Sequence, residues 1–208
     1  MQTDQIRIIE LTADDRGDII DVFVDAFHDY PLFTYLLKDA DADKYGRQLR
    51  LLIGFFVDKR LMREWPVFGI REDDGLAAAL TMSDPVFEPR PQRLNAAFEE
   101  LGKAVGSDVL ERLEDFEAAS APHEPNSLTC FVGMVGVRPS SQGRGYGRIL
   151  MDRVEKLSRA RPESTGVTLT TEVSENLTFY ERLGYRILGT AKVGDITTWF
   201  LFLEDKKV

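Results

Sequence analysis

The spacing of apolar residues along this 208-residue chain changes several times, and each change marks an element. Ile6-Arg7-Ile8-Ile9 opens as an edge strand. Thr12-Ala13-Asp14-Asp15 supplies capping chemistry, and Ile19, Ile20, Val22, Phe23 and Phe27 then recur at helical spacing. Pro31 interrupts, so His28-Asp29-Tyr30-Pro31-Leu32-Phe33 reads as a turn. A second amphipathic helix is predicted over about residues 44–63, with Leu49, Leu52, Ile53, Phe56, Val57 and Leu61 inward. Residues 66–70 and 76–82 flank Glu72-Asp73-Asp74-Gly75, which predicts a hairpin.

From Asp84 to Asn126 the pattern opens on Pro85, Pro89 and Pro91. It turns helical through Leu94, Phe98, Leu101, Val105, Leu110, Leu113 and Phe116, and closes at Pro122-His123-Glu124-Pro125. Two helices inserted over about residues 85–125 fit this better than a separate domain, because about forty residues rarely hold a core alone. The expectation is therefore one domain over residues 1–208. After a β-rich run from Cys130 to Val137 come a helix, a strand at 168–173 and a short helix with Ser174 as N-cap, closed by Gly184. A hairpin around Gly194 ends the series.

Charge and composition narrow the function classes. A net charge of −9 argues against broad nucleic-acid binding, which demands a basic face, and mildly favours a cationic acceptor. One cysteine, Cys130, rules out an internal disulfide and fits a reducing compartment; its place in an apolar strand makes it a packing residue. Two histidines and one cysteine leave little for a zinc site, so no metal is expected. No apolar run approaches membrane-spanning length and no basic-then-apolar leader appears, so no membrane partner is expected and the reading is cytoplasmic. A homodimer is left open.

The chemistry concentrates after the strand. Gln142-Gly143-Arg144-Gly145-Tyr146-Gly147-Arg148 places three glycines at alternate positions where a helix begins. Glycine there lets backbone N–H groups face outward at the positive end of a helix dipole, which specifies a pyrophosphate cradle. It is not a P-loop, because Tyr146 and Gly147 follow Gly145 where Lys and Ser/Thr would be needed. Nor is it a dinucleotide fingerprint, because Arg148 stands where the third glycine belongs. Downstream, Asn176-Leu177-Thr178-Phe179-Tyr180 and Leu183-Gly184-Tyr185 follow a strand rich in β-branched residues.

With Gln-x-x-Gly-x-Gly carried by Gln142, Gly145 and Gly147, and Asn176 and Tyr180 following about thirty residues on, the chain resembles the GCN5-related N-acetyltransferase (GNAT) superfamily. The resemblance implies a mixed α/β fold: a largely antiparallel twisted sheet flanked by helices, with the two central parallel strands splayed apart. It implies acetyl-coenzyme A as co-substrate. The pyrophosphate would lie on Gln142, Gly143, Arg144, Gly145, Tyr146, Gly147 and Arg148, and the pantetheine along Val135, Gly136, Val137 and Asn176. Arg138, Arg144 and Arg148 would supply a local positive field. Tyr180 would be the acid that protonates the leaving thiolate, and the Val135 N–H would stabilise the oxyanion.

The base does not transfer from the family, because the signature strand offers Gly133 and Met134 where relatives carry an acid. Glu172 is the best candidate, with His28, Asp29, His123 and Glu124 as outsiders. The acceptor, a primary amine of a small molecule, is expected near His28, Tyr30, Phe33 and Phe98, with the aromatic density around Pro31 suited to a pocket lining. A protein N-terminal or lysine acetyltransferase and a non-catalytic acyl-coenzyme A-binding module stay open as alternatives.

Overall fold

The computed structural model describes residues 6–86, 91–123 and 127–206; Pro89, Glu124 and Pro125 lie outside them. Seven strands form one sheet in the order β1-β2-β3-β4-β5-β7-β6. They are β1 (Ile8–Glu10), β2 (Val67–Glu72), β3 (Gly75–Ser83), β4 (Cys130–Val137), β5 (Gly166–Thr171), β6 (Arg186–Val193) and β7 (Ile196–Glu204). All neighbours pair antiparallel except β4 and β5, which run parallel. The mixed, largely antiparallel sheet read from the sequence is the one observed. Its closing hairpin turns back so that β7, not β6, lies against β5.

Helices cover both faces. On one face α1 (Arg16–Ala26), α2 (Pro31–Leu36), α3 (Ala42–Leu61), α4 (Gln92–Val105) and α5 (Ser107–Ser120) build a core around Ile19, Phe23, Leu36, Leu49, Ile53 and Leu94. On the other, α6 (Tyr146–Ala160) lays Leu150, Met151 and Val154 over Leu80, Val132 and Leu169, and Tyr180 of α7 (Glu175–Arg182) joins that core. Each fully buried aliphatic side chain contributes about 1.5–3 kcal/mol. These layers hold the central strands in place.

Three local expectations are corrected. Residues 31–36 are helical, because Pro31 takes the first helical position, where its missing N–H costs nothing. Only His28 to Tyr30 remains a connector. Ser174 does stand at the N-cap of α7, but its hydroxyl makes no capping bond and donates to the Glu175 carboxylate instead. The strand expected at 168–173 is β5 at Gly166–Thr171, so Glu172 sits just past its end.

Two departures from regular pairing shape the centre of the sheet. Between β3 and β4 the register shifts: Thr81 faces Met134 while Met82 faces Val132, which leaves Gly133 as the extra residue of a bulge. Between β4 and β5 only three pairs form, ending at Val132 with Leu169. Beyond them five residues of β4 and two of β5 diverge, and a gap opens in the sheet.

Candidate active site

The gap leads into a cavity of about 620 Å³. Its walls include Tyr30 and Phe33 from the α1–α2 region, Arg60 from α3, Phe116 from α5, Val132–Val135 of β4, and Thr168–Thr170 of β5. Glu172, Asn176 and Tyr180 complete it. Of the residues expected to meet an acceptor, Tyr30 and Phe33 therefore line this space. Phe98 does not; it packs on Phe55 beneath it, ring centroids 5.6 Å apart. His28 borders a separate hollow beside Arg138 and bonds Asp29, Nδ1 to Oδ1 at 2.8 Å. His123 does line the cavity, stacked on Phe200 at 4.7 Å.

Strand alternation decides which way the free backbone points. Arg138 N–H donates to Ala77 O at 2.9 Å and Met134 N–H to Thr81 Oγ1 at 3.1 Å, so the even-numbered amides here face β3. In an antiparallel ladder the intervening groups face the other way. The amides of Val135 and Val137 thus point to the gap, where β5 no longer supplies a partner. Gly136 points its missing side chain at α1: a Cβ there would lie 2.9 Å from the Phe23 ring.

The glycine loop follows. Gly143 and Gly145 take left-handed backbone, φ 78° and 82°, which only glycine adopts without strain. Gly145 is the N-cap of α6, and the first bond back to it comes from Ile149 N–H at 3.1 Å. The N–H groups of Tyr146, Gly147 and Arg148 thus have no helical acceptor. Gly147 is already inside the helix, and a Cβ there would meet only Phe179 at 3.8 Å. Gln142 Nε2 donates to Val137 O at 3.3 Å, tying the loop to the strand.

The arginines expected to charge this loop are mostly engaged. Arg138 donates to Leu76 O at 2.8 Å and pairs with Asp25. Arg144 pairs with Glu72 at 2.6 Å, while Arg148 is exposed. Glu72, read from the sequence only as a hairpin-turn residue, also accepts from Ser141 at 3.0 Å and from the Tyr146 hydroxyl. That hydroxyl, first among several donors, holds the Glu72 carboxyl below the usual range. One carboxylate thus fastens three residues of the loop.

Across the gap, a hydroxyl network holds the end of β5. Tyr30 Oη accepts the Glu172 N–H at 3.0 Å and shares a 3.2 Å hydrogen bond with Thr171 Oγ1. Thr171 Oγ1 also accepts from Asn176 Nδ2 at 3.2 Å and from Val173 N–H at 3.3 Å. With both its lone pairs used, Thr171 donates to Tyr30, so the Tyr30 hydrogen remains available. The network presents Glu172, 8% exposed, with its Oε1 lacking any partner among the described residues. Burial pushes its carboxyl up to about 7, only partly offset by the Tyr30 hydroxyl. Burial, with the nearby Glu172 carboxylate adding to it, pushes Tyr180 up to about 12. A carboxyl that titrates near neutrality and a phenol that keeps its proton face one cavity. Such a pair suits proton removal and proton delivery.

The buried cation of the cavity escaped the sequence reading altogether. Arg60 continues the inward stripe of Ile53 and Val57 at helical spacing, and its guanidinium lies over Gly133, where a Cβ would stand 2.8 Å from its Cζ. Burial lowers its pKa to about 10, with Arg63 adding to the effect. Among the described residues no helix is long and apolar enough to cross a membrane, and no His, Cys, Asp and Glu cluster suits a metal ion.

Splayed parallel strands followed by a left-handed glycine loop and a helix start find their match among known proteins. The chain carries a GNAT acetyltransferase fold. Residues 94–187 match the family described as acetyltransferase (GNAT) domain. GNAT structures superpose over nearly the whole chain. A structure described as histone acetyltransferase HPA2 and related acetyltransferase, from Corynebacterium glutamicum, aligns with a TM-score of 0.73 at 19% identity over 98% of both chains. Arylalkylamine N-acetyltransferase 2 from Aedes aegypti gives 0.69 at 12% identity, covering 98% of this chain and 100% of its own. The polyamine N-acetyltransferase of Drosophila melanogaster gives 0.62 at 15%, covering 96% and 100%. At these identities the likeness is one of fold.

Proposed function

We propose that this GNAT protein transfers an acetyl group from acetyl-coenzyme A to the primary amine of a small molecule. The observation that carries the reading is Glu172 and Tyr180 lining one cavity at the strand gap, with proton affinities suited to a base and an acid. The residues present also fit the co-substrate. The amides of Tyr146, Gly147 and Arg148 at the start of α6, unpaired among the described residues, suit a pyrophosphate, and those of Val135 and Val137 suit the amide groups of a pantetheine arm.

In this reading Glu172, partly ionised at neutral pH, takes the proton from the incoming ammonium. The free amine nitrogen attacks the thioester carbonyl, the C–N bond forms, and the C–S bond breaks. The Val135 N–H faces the oxygen on which charge develops. Tyr180 gives its proton to the departing sulfur and regains one from the nitrogen as the amide forms, while Glu172 releases its own to solvent. Tyr30 is a positioning residue, holding the end of β5 so that Glu172 projects into the cavity.

Two of the GNAT structures above are named for small amines, and one for histones. What favours a small acceptor in this chain is the cover over the cavity: Leu113, Phe116 and Glu117 of α5 wall the side that an extended peptide would need open. A module that merely binds acyl-coenzyme A would have no use for a buried carboxyl at the gap. The test is thiol release from acetyl-coenzyme A across a panel of primary amines, with the N-acetylated product identified by mass. Stoichiometric thiol and product with at least one small amine is expected. Binding without turnover on any amine or peptide would leave only the binding-module reading.

A further inference from the structure

The cavity holds a cation that the transfer chemistry above does not use. Arg60 is 6% exposed, yet among the described residues no carboxylate pairs with it. Its Nη1 reaches the Phe56 carbonyl at a long 3.4 Å, and its Nε has no hydrogen-bond partner among the described residues. The neighbouring charge that registers on it is another cation, Arg63. The carbonyl end of α3 gives some relief through the helix dipole, but a helix terminus carries only about half an elementary charge. A buried charge without a counterion is costly and is normally paired. The sheet is also built to receive this one: the bulge leaves Gly133 where any side chain would displace the guanidinium.

We infer that Arg60 is the anion anchor of the cavity and takes the carboxylate of a substrate, which makes that substrate a carboxylate-bearing amine or, failing that, a carboxylate-bearing acyl group. The inference rests on the amine-acetyltransferase reading and narrows it. Guanidinium and carboxylate match in a bidentate fork, and a charge-assisted pair of that geometry is among the stronger hydrogen-bonded contacts. Position supports the match. In the parallel register of β4 and β5, which pairs Val132 with Leu169, Gly133 stands opposite Thr170, two residues before Glu172. At about 3.3 Å per strand residue, the anchor and the base lie some 7 Å apart along the strands, before the width of the gap is added. A molecule with an anion at one end and an amine at the other spans that interval, its amine toward Glu172 and the thioester. The acidic surface of the chain favours the ammonium end, and Arg60 supplies the complement for the other.

Two measurements test this. Calorimetry would titrate the protein with N-acetyl-β-alanine and N-acetyl-γ-aminobutyrate, which mimic products, and with their methyl esters. The free acids are expected to bind about 10- to 100-fold more tightly than the esters, as charge-assisted hydrogen bonds warrant, and Arg60→Met should level the two. Arg60→Lys, which keeps the charge but not the fork, should recover part of the difference. Thiol release would then compare β-alanine and γ-aminobutyrate with their amides, using acetyl-, malonyl- and succinyl-coenzyme A. Preference for the acids with acetyl-coenzyme A places the carboxylate on the acceptor; preference for malonyl- or succinyl-coenzyme A places it on the acyl chain.

Equal binding of acids and esters by the wild type, together with equal turnover of charged and uncharged substrates, would overturn the anchor while leaving the acetyltransferase reading intact. Discrimination in calorimetry with no thiol release from any amine would do the reverse. Because the wild-type comparison needs no variant, the proposal stays testable even if Arg60→Met fails to fold.

Discussion

Replacing Glu172 by Gln keeps the size of the side chain and removes only its ionisation, so it separates the charge from the packing. The rise of this carboxyl from 4.5 to about 7 corresponds to about 3 kcal/mol of preference for the protonated form in the folded state. The folded protein holds the proton more tightly than the unfolded chain. The stabilisation is therefore fully present below pH 4.5 and is lost as pH rises through 7. Between pH 5 and pH 8 the loss amounts to about 2.5 kcal/mol, which for a chain of this size is about 5–10 °C in Tm. Glutamine has no such dependence. Urea titrations of wild type and Glu172→Gln at both pH values should show the variant gaining about 2.5 kcal/mol on the wild type as pH rises. In the same variant kcat/KM should fall by about 10²–10³-fold and lose the limb that rises near pH 7. Equal pH dependence of stability in the two proteins would refute the buried carboxyl, and a retained pH 7 limb would refute its role as base.

Tyr180→Phe removes one hydroxyl from a well-packed ring, so fold and co-substrate affinity should persist while kcat falls by about 10²–10⁴-fold; unchanged kcat would remove Tyr180 from the mechanism. The loop glycines should differ from one another. Gly145→Asp forces a side chain and a negative charge onto left-handed backbone at the cradle and should abolish acetyl-coenzyme A binding in calorimetry without unfolding the chain. Gly147→Ala, which meets nothing closer than Phe179 at 3.8 Å, should leave the apo protein's Tm unchanged, so any lost affinity there reports the approach of the ligand.

Periodicity made most of the fold readable. The strand Cys130–Val137, the helix after the glycine loop, the β2–β3 hairpin and the paired helices α4 and α5 all fall where alternating or helical spacing places them. Local rules failed where a residue has two uses. Pro31 can end one element or begin another, and here it begins α2; Ser174 can cap a helix or bond a neighbour, and it bonds Glu175. The insertion of β7 between β5 and β6 is a long-range pairing that no short pattern encodes.

In the candidate site, the glycine loop was legible because its backbone demands a residue type. Glu172 was chosen by its place at a strand end, but the burial that raises its pKa comes from packing by residues far away in sequence, Tyr30 among them. Arg60 was readable in principle. It falls three residues after Val57 on the buried stripe of α3, and an arginine in that register signals either a buried pair or a ligand. Glu72 left no such signal, because a turn carboxylate gives no hint that a loop about seventy residues on will close over it.

The central claim is that the unpaired backbone of the gap and the glycine loop receives acetyl-coenzyme A. Amide hydrogen exchange with and without saturating acetyl-coenzyme A tests it most directly, because it reads those N–H groups themselves. In the free protein the amides of Val135, Val137 and residues 146–148 should exchange quickly for want of acceptors, and binding should protect them together. Saturation that left these amides unprotected, or protected a different surface instead, would contradict the account.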